Sequence, residues 1–258
     1  MTFQTATVGS TAALSQESFK NTKLRDSYKE LTVKTENIAH LTDKQVISKQ
    51  RVADHGEVLT GKREVNAMLD LVKQETERIE SRFLEPACGN GNFMTEILER
   101  KLCIVEKRYG KAQLEYERYA ILAVSSIYGI DILEDNVQQC RHRLFGVFEW
   151  NYTRLFKNKT KNKCREAVRF ILECNIIWGD ALTLKTVGEK PEHIVFSEWS
   201  PVNGSMFKRR DFTFHGLLTH EGMKELPLFS DLGEDVFIPT PEKEFPPTHF
   251  LEVAHAQQ

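Results

Sequence analysis

The stretch Glu85-Pro86-Ala87-Cys88-Gly89-Asn90-Gly91-Asn92-Phe93 constrains the fold of this chain more than any other. A short apolar run, Arg82-Phe83-Leu84, precedes it, and Phe93, Ile97 and Leu98 follow at helical spacing, so the order is strand, glycine-rich turn, helix. Gly89 and Gly91 allow a tight turn and close approach of backbone to a ligand, and a helix starting there presents free N–H groups and a positive dipole end. No lysine follows the second glycine, which disfavours a phosphate-cradling P-loop, and the absence of a third glycine breaks the dinucleotide-binding fingerprint.

The pattern repeats along the chain. A helix over Leu114 to Ser126 leads into a strand, Ile127 to Ile132, that carries Asp131 near its end. Val137, Cys140, Leu144 and Phe145 then share a helical face, and a third strand, Asn175 to Trp178, stops at Gly179-Asp180. A fourth strand, His193 to Phe196, stops at Ser197-Glu198-Trp199. Upstream, HGEVLTGKREVNAMLDLV from His55 reads as a loop feeding a helix with Val65, Met68, Leu69 and Val72 at helical spacing. Strands alternating with helices predict an α/β fold with a mostly parallel sheet and helices on both faces.

The expected organisation is a polar arm over 1–50, with at best a short amphipathic helix around Leu31 to Ile47, a single domain over 51–217, and an acidic, proline-containing extension over 218–258 with a weak strand at Val236 to Ile238. The segment Asn151 to Arg165 is basic and reads as a solvated loop. Net charge is -2, so any basic surface must be local. Five scattered cysteines without C-x-x-C spacing argue against a disulfide framework or a zinc site, and the eight histidines show no ligand spacing. No metal is expected. No signal segment or membrane span is read, and the expected location is the cytoplasm.

With these residues in view, LEPACGNGNF resembles motif I of adenine-N6 and cytosine-N4 DNA amino-methyltransferases of restriction-modification type. Gly56, Glu57 and Thr60 resemble the upstream cofactor motif, with Gly61 where proline is usual; YGIDI resembles motif II and WGDAL motif III. The order is that of the gamma class, and the similarity spans about His55 to Asp211. The resemblance implies a Rossmann-like sheet that binds S-adenosylmethionine. Asp131 would accept the ribose hydroxyls and Asp180, followed by Ala181, the adenine amino group, with Trp178, Ile132 or Phe93 packing the ring. Thr60 and the turn through Ala87, Cys88, Gly89 and Gly91 would hold the methionine end, and Glu85 its ammonium. Cys88 reads as a small packing residue of that turn rather than a nucleophile.

The family's catalytic tetrapeptide, a polar residue followed by Pro-Pro and an aromatic, is altered. The chain has SEWSPVNGSMFKRRDF there, and neither Ser200-Pro201 by identity nor Glu198-Trp199-Ser200-Pro201 by position restores it. In this reading Trp199 stacks on a flipped base or is a core or interface aromatic, Glu198 or Ser200 accepts from the target amine, and Lys208-Arg209-Arg210 contact nucleic-acid phosphate or pair with acids of a partner chain. The expectation is a DNA methyltransferase, adenine-N6 by preference, of a restriction-modification or phage-defence system. DNA is one partner; a recognition or nuclease subunit, or a second copy, is another. The alternative is a catalytically degenerate subunit of the same fold that binds cofactor or scaffolds a defence complex.

Overall fold

The computed structural model describes residues 48–55, 57–219 and 239–256, which form an α/β molecule with a mixed sheet. Helices α1 (Lys49–His55), α2 (Lys62–Leu71) and α3 (Lys73–Thr76) lead into strand β1 (Phe83–Glu85). Helices α4 (Asn92–Tyr109) and α5 (Gln113–Ser125) follow, then β2 (Ile127–Asp131), α6 (Glu134–Phe156), α7 (Asn162–Asn175) and β3 (Ile176–Asp180). After β4 (Lys185–Thr186) come β5 (Val195–Pro201), β6 (Met206–Thr213) and α8 (Phe214–Thr219), with β7 (Lys243–Glu244) and β8 (Thr248–His249) beyond.

Strands β1, β2 and β3 run parallel in that order, with Leu84 beside Tyr128 and Asp131 beside Trp178, and β4 pairs antiparallel with β3. β2 is buried along its whole length because both of its faces are covered. Ile127 and Gly129 face the helices, and a Cβ on Gly129 would lie 2.4 Å from Met94 Cε, so a side chain there would displace the end of Met94. Tyr128 and Ile130 face the other way, against Ile194, Phe196 and Phe214. On the helical side Leu98, Leu102, Tyr116, Ile121, Leu144 and Phe148 pack the core between α4, α5 and α6. Lys101 is buried under this layer, where its ammonium donates to the carbonyls of Ile79 and Ser81 and to Ser126 Oγ.

The architecture departs from the expected one in several places. Among the described residues, α4 to α7 cover one face of the parallel sheet while β5 and α8 cover the other; Phe196 packs edge-on against Tyr128 with ring centroids 5.4 Å apart. β5 does not extend the parallel sheet. It pairs antiparallel with β6, from Val195 opposite Thr213 to Pro201 opposite Phe207, and β6 also takes β7 and β8. The Lys208-Arg209-Arg210 run interrupts the apolar alternation that would have revealed β6.

The segment Asn151 to Arg165 is largely helical: α6 continues to Phe156 and α7 begins at Asn162, with a 3-10 turn between them. Tyr152 is buried beside Phe148 and Phe156, an apolar spacing hidden among lysines and asparagines. The C-terminal stretch is no detached extension, since Phe250 and Val253 are buried in the main core. The expected polar arm to residue 47, Gly56 and the weak strand Val236 to Ile238 lie outside the described residues. No helix among the described residues is long and apolar enough to cross a membrane.

Candidate functional site

The glycine turn sits at the carboxyl edge of the parallel sheet. The Cys88 N–H donates to the Ile130 carbonyl at 2.9 Å, which pins the turn to β2 before α4 begins. Gly89 (φ +52°) and Gly91 (φ +88°) both adopt left-handed backbone, which costs an L side chain about 1–2 kcal/mol. Gly91 has no room for a side chain either, since a Cβ there would lie 2.7 Å from Cys140 Sγ. Gly91 is the N-cap of α4 without a capping side chain, and the first turn carries no acid, so the positive end of an 18-residue helix is presented at this edge.

Asp131 reaches this turn from the end of β2. Its Oδ2 accepts the Gly89 N–H at 2.8 Å, and its Oδ1 accepts from the Leu133 N–H at 2.9 Å and Asn136 Nδ2 at 3.2 Å. Asn136 also donates to Glu57 Oε1 at 2.7 Å, and Glu57 in turn pairs with Arg51, which bridges to Asp135. The Arg51 guanidinium holds the Glu57 carboxyl below the usual carboxylate range, and does the same for Asp135. On the other side of the turn Arg143 donates to the Asn90 carbonyl at 2.7 Å and to Asn92 Oδ1 at 2.8 Å. Asn136, Cys140 and Arg143 are spaced i, i+4, i+7, so one face of α6 grips the whole loop.

The structure gathers most of the sequence-selected cofactor residues here. The Thr60 carbonyl accepts from Asn92 Nδ2 at 2.8 Å, and Leu59 lies over Gly89, so the upstream segment packs on the turn. Glu85 Oε1 accepts from the Ala87 N–H at 3.3 Å, and burial raises the Glu85 carboxyl above its ordinary pKa. Cys88 is buried beside Cys140; that contact and desolvation push its thiol up, which suits packing and not nucleophilic attack. Asp180 lies two residues past Trp178, the neighbour of Asp131, and its Oδ1 accepts from the Leu182 N–H at 2.9 Å. Ile132 and Leu182 are exposed at this edge, whereas Phe93 packs against the main core and Ala181 against the smaller cluster behind the sheet. The Trp178 indole N–H donates to the Ile132 carbonyl at 3.0 Å.

No protein-family model matches the chain, and no curated protein or solved structure is detectably similar to it.

The geometry separates the residues selected for catalysis from those selected for the cofactor. Glu198, Trp199, Ser200 and Pro201 lie within β5 rather than after it. β5 crosses the sheet so that Ile194 is near Gly179 at the carboxyl edge, Phe196 is on Tyr128, and Glu198 pairs with Arg82 just before β1. Together with Glu80, Ser126 and Tyr128, the four residues line a cavity of about 90 Å³ at the amino edge of the sheet. Asp131 and Gly89 are at the opposite edge. Strand geometry also sends Glu198 and Trp199 to opposite faces. Glu198 accepts from Arg82, Arg210 and Ser200 Oγ, while Trp199 is buried with Phe170 edge-on to it at 6.4 Å. Trp199 is a core residue here, with its side chain on the opposite face of β5 from that of Glu198.

The basic triplet is consumed internally as well. Lys208 pairs with Glu244 at 2.7 Å, Arg209 with Asp211 at 2.8 Å and Arg210 with Glu198 at 3.1 Å. The Arg209 guanidinium is further enclosed by the rings of Phe170, Trp199 and Phe245. Glu244 and Glu198, the partners of Lys208 and Arg210, lie on neighbouring strands, which a linear count of charges cannot reveal, whereas Asp211 lies two residues from Arg209 on β6 itself. Sequence reasoning missed Arg51, Asn136 and Arg143; for the last two the signal was polar residues on the same helical face as Cys140.

Proposed function

We propose that the carboxyl edge of the parallel sheet binds S-adenosylmethionine. In this reading the chain is a methyltransferase-fold subunit of a DNA-acting restriction or phage-defence assembly, and a partner contributes sequence recognition and the acceptor chemistry. The observation that carries the reading is the bond from the Gly89 N–H to Asp131, which joins the glycine turn and the second strand's acid at one point. The cofactor fits the groups present. Asp131 makes three bonds, and a carboxylate offers about four acceptor positions, which leaves one for a ribose hydroxyl and a second if Asn136 gives way. The α4 N-terminus would hold the cofactor carboxylate, and Asp180 would accept the adenine amino group between the exposed Ile132 and Leu182. The bound group would supply an electrophilic methyl.

The placement of Glu198 to Pro201 at the other edge favours the subunit over the self-sufficient enzyme. One observation supports the enzyme reading, adenine-N6 methylation of DNA by this chain alone: Glu85, a half-buried carboxyl with a raised pKa, lies at the same edge as the glycine turn and could accept from an amine. Incubation with methyl-labelled cofactor and duplex DNA distinguishes the two. Label retained by the protein with none transferred to DNA is the expected result. Transfer by the purified chain that is lost in Glu85→Gln would establish the enzyme.

A further inference from the structure

We infer that the end of the helical layer where α4 passes into α5 and α6 into α7 binds the phosphate backbone of a nucleic acid. Two connections distant in sequence meet there. Gln113 Nε2 donates to the Lys159 carbonyl at 2.7 Å, Arg154 on α6 pairs with Glu106 on α4, and the Tyr116 ring packs edge-on to Phe156 at 5.1 Å. Lys107, Arg108, Lys111, Lys157 and Lys159 are all exposed, and none enters an ion pair among the described residues. The acids nearby are committed elsewhere: Glu106 to Arg154, Glu115 to Arg118 and the buried Glu117 to Lys161.

The plain alternative is compensation of helix dipoles. It accounts for Lys107 and Arg108, which occupy the last turn of α4. It accounts also for Lys157, the C-cap of α6, but not for Lys111 and Lys159, which lie past the caps of α4 and α6. In a chain of net charge -2, five cations without a carboxylate partner at one end are a local separation of charge that a polyanion relieves. The same surface carries Trp150, exposed and one turn before Arg154, whose guanidinium lies 4.9 Å from its ring centroid, and the exposed amide of Asn158. One aromatic ring among cations and an amide suits phosphate and sugar contacts; a lipid surface would call for a broader apolar face. The cations lie along α4 about 27 Å from the glycine turn, at 1.5 Å per residue over its 18 residues, so the surface anchors a nucleic acid and does not present a base. The inference does not rest on the cofactor reading.

Fluorescence anisotropy of the full chain with a labelled DNA duplex of mixed sequence tests it. With five phosphates neutralised, affinity should fall about 500-fold between 50 and 200 mM salt, from a slope of about -0.9 per phosphate. The triple variant Lys111→Gln, Lys157→Gln, Lys159→Gln should flatten that slope by about 2.7. The double variant Lys185→Gln, Lys190→Gln, which alters exposed lysines of the β4 region, should leave it unchanged. Equal slopes in the triple and double variants would overturn the proposal. So would binding to vesicles of anionic lipid without binding to the duplex.

Discussion

The backbone N–H of Gly89 donates to Oδ2 of Asp131 at 2.8 Å, across 42 residues of sequence and between the ends of neighbouring strands. A hydrogen bond to a charged acceptor contributes about 1.5–3 kcal/mol. Asp131→Ala should therefore speed hydrogen exchange of the Gly89 amide by one to two orders of magnitude, while Asp131→Asn, which keeps an acceptor oxygen, should have a smaller effect. Equal exchange in all three proteins would mean that the bond does not order the turn.

Gly91→Ala should destabilise the fold by about 2–4 kcal/mol, from left-handed backbone strain together with overpacking against Cys140 Sγ. Adding Cys140→Ala should recover the steric part and leave the backbone part. Chemical denaturation of the two single variants and the double variant gives that coupling. Strictly additive losses would show that Cys140 does not crowd this position.

What could be read from the sequence and what could not divide along a physical line. The turn from Glu85 to Phe93, Asp131 and Asp180 are set by local signals, because glycines, strand ends and helix starts are encoded within a few residues. Their convergence follows from parallel strands, whose carboxyl ends share one edge. The orientation of β5 depends on pairing with β6 and on burial of Phe196 against Tyr128, both non-local, so the residues Glu198 to Pro201 could not be placed from their spacing. The ion pairs of Lys208 with Glu244 and of Arg210 with Glu198 were hidden for the same reason.

Trp199→Ala should lower stability by about 3–5 kcal/mol, the usual cost of truncating a buried aromatic. Cofactor affinity measured on the folded fraction should not change. A variant of full stability that had lost nucleic-acid binding would return Trp199 to a recognition role.

Burial pushes the Lys101 ammonium down to about 7 from 10.5. Between these values the unfolded chain binds the proton that the folded one has released, so stability should rise with pH above 7, by at most about 1.4 kcal/mol per unit from this group. The rise should end near pH 9, where the thiols of Cys88 and Cys164, raised in the fold, ionise more readily in the unfolded chain and reverse the slope. Urea melts from pH 6 to 10 should show the rise in the wild type and a flatter profile in Lys101→Met. That variant should also be less stable at pH 8, because the carbonyls of Ile79 and Ser81 lose their donor. A wild-type profile that is flat from pH 7 to 8.5 would contradict the assignment.

Calorimetric titration of S-adenosylmethionine into the full chain and into Asp131→Ala tests the central claim most directly. The account predicts micromolar binding, about -8 kcal/mol, to the wild type and a loss of about 1.5–3 kcal/mol in the variant. Absence of binding at millimolar cofactor, or equal affinity in the two proteins, would contradict a cofactor site at the Gly89–Asp131 edge.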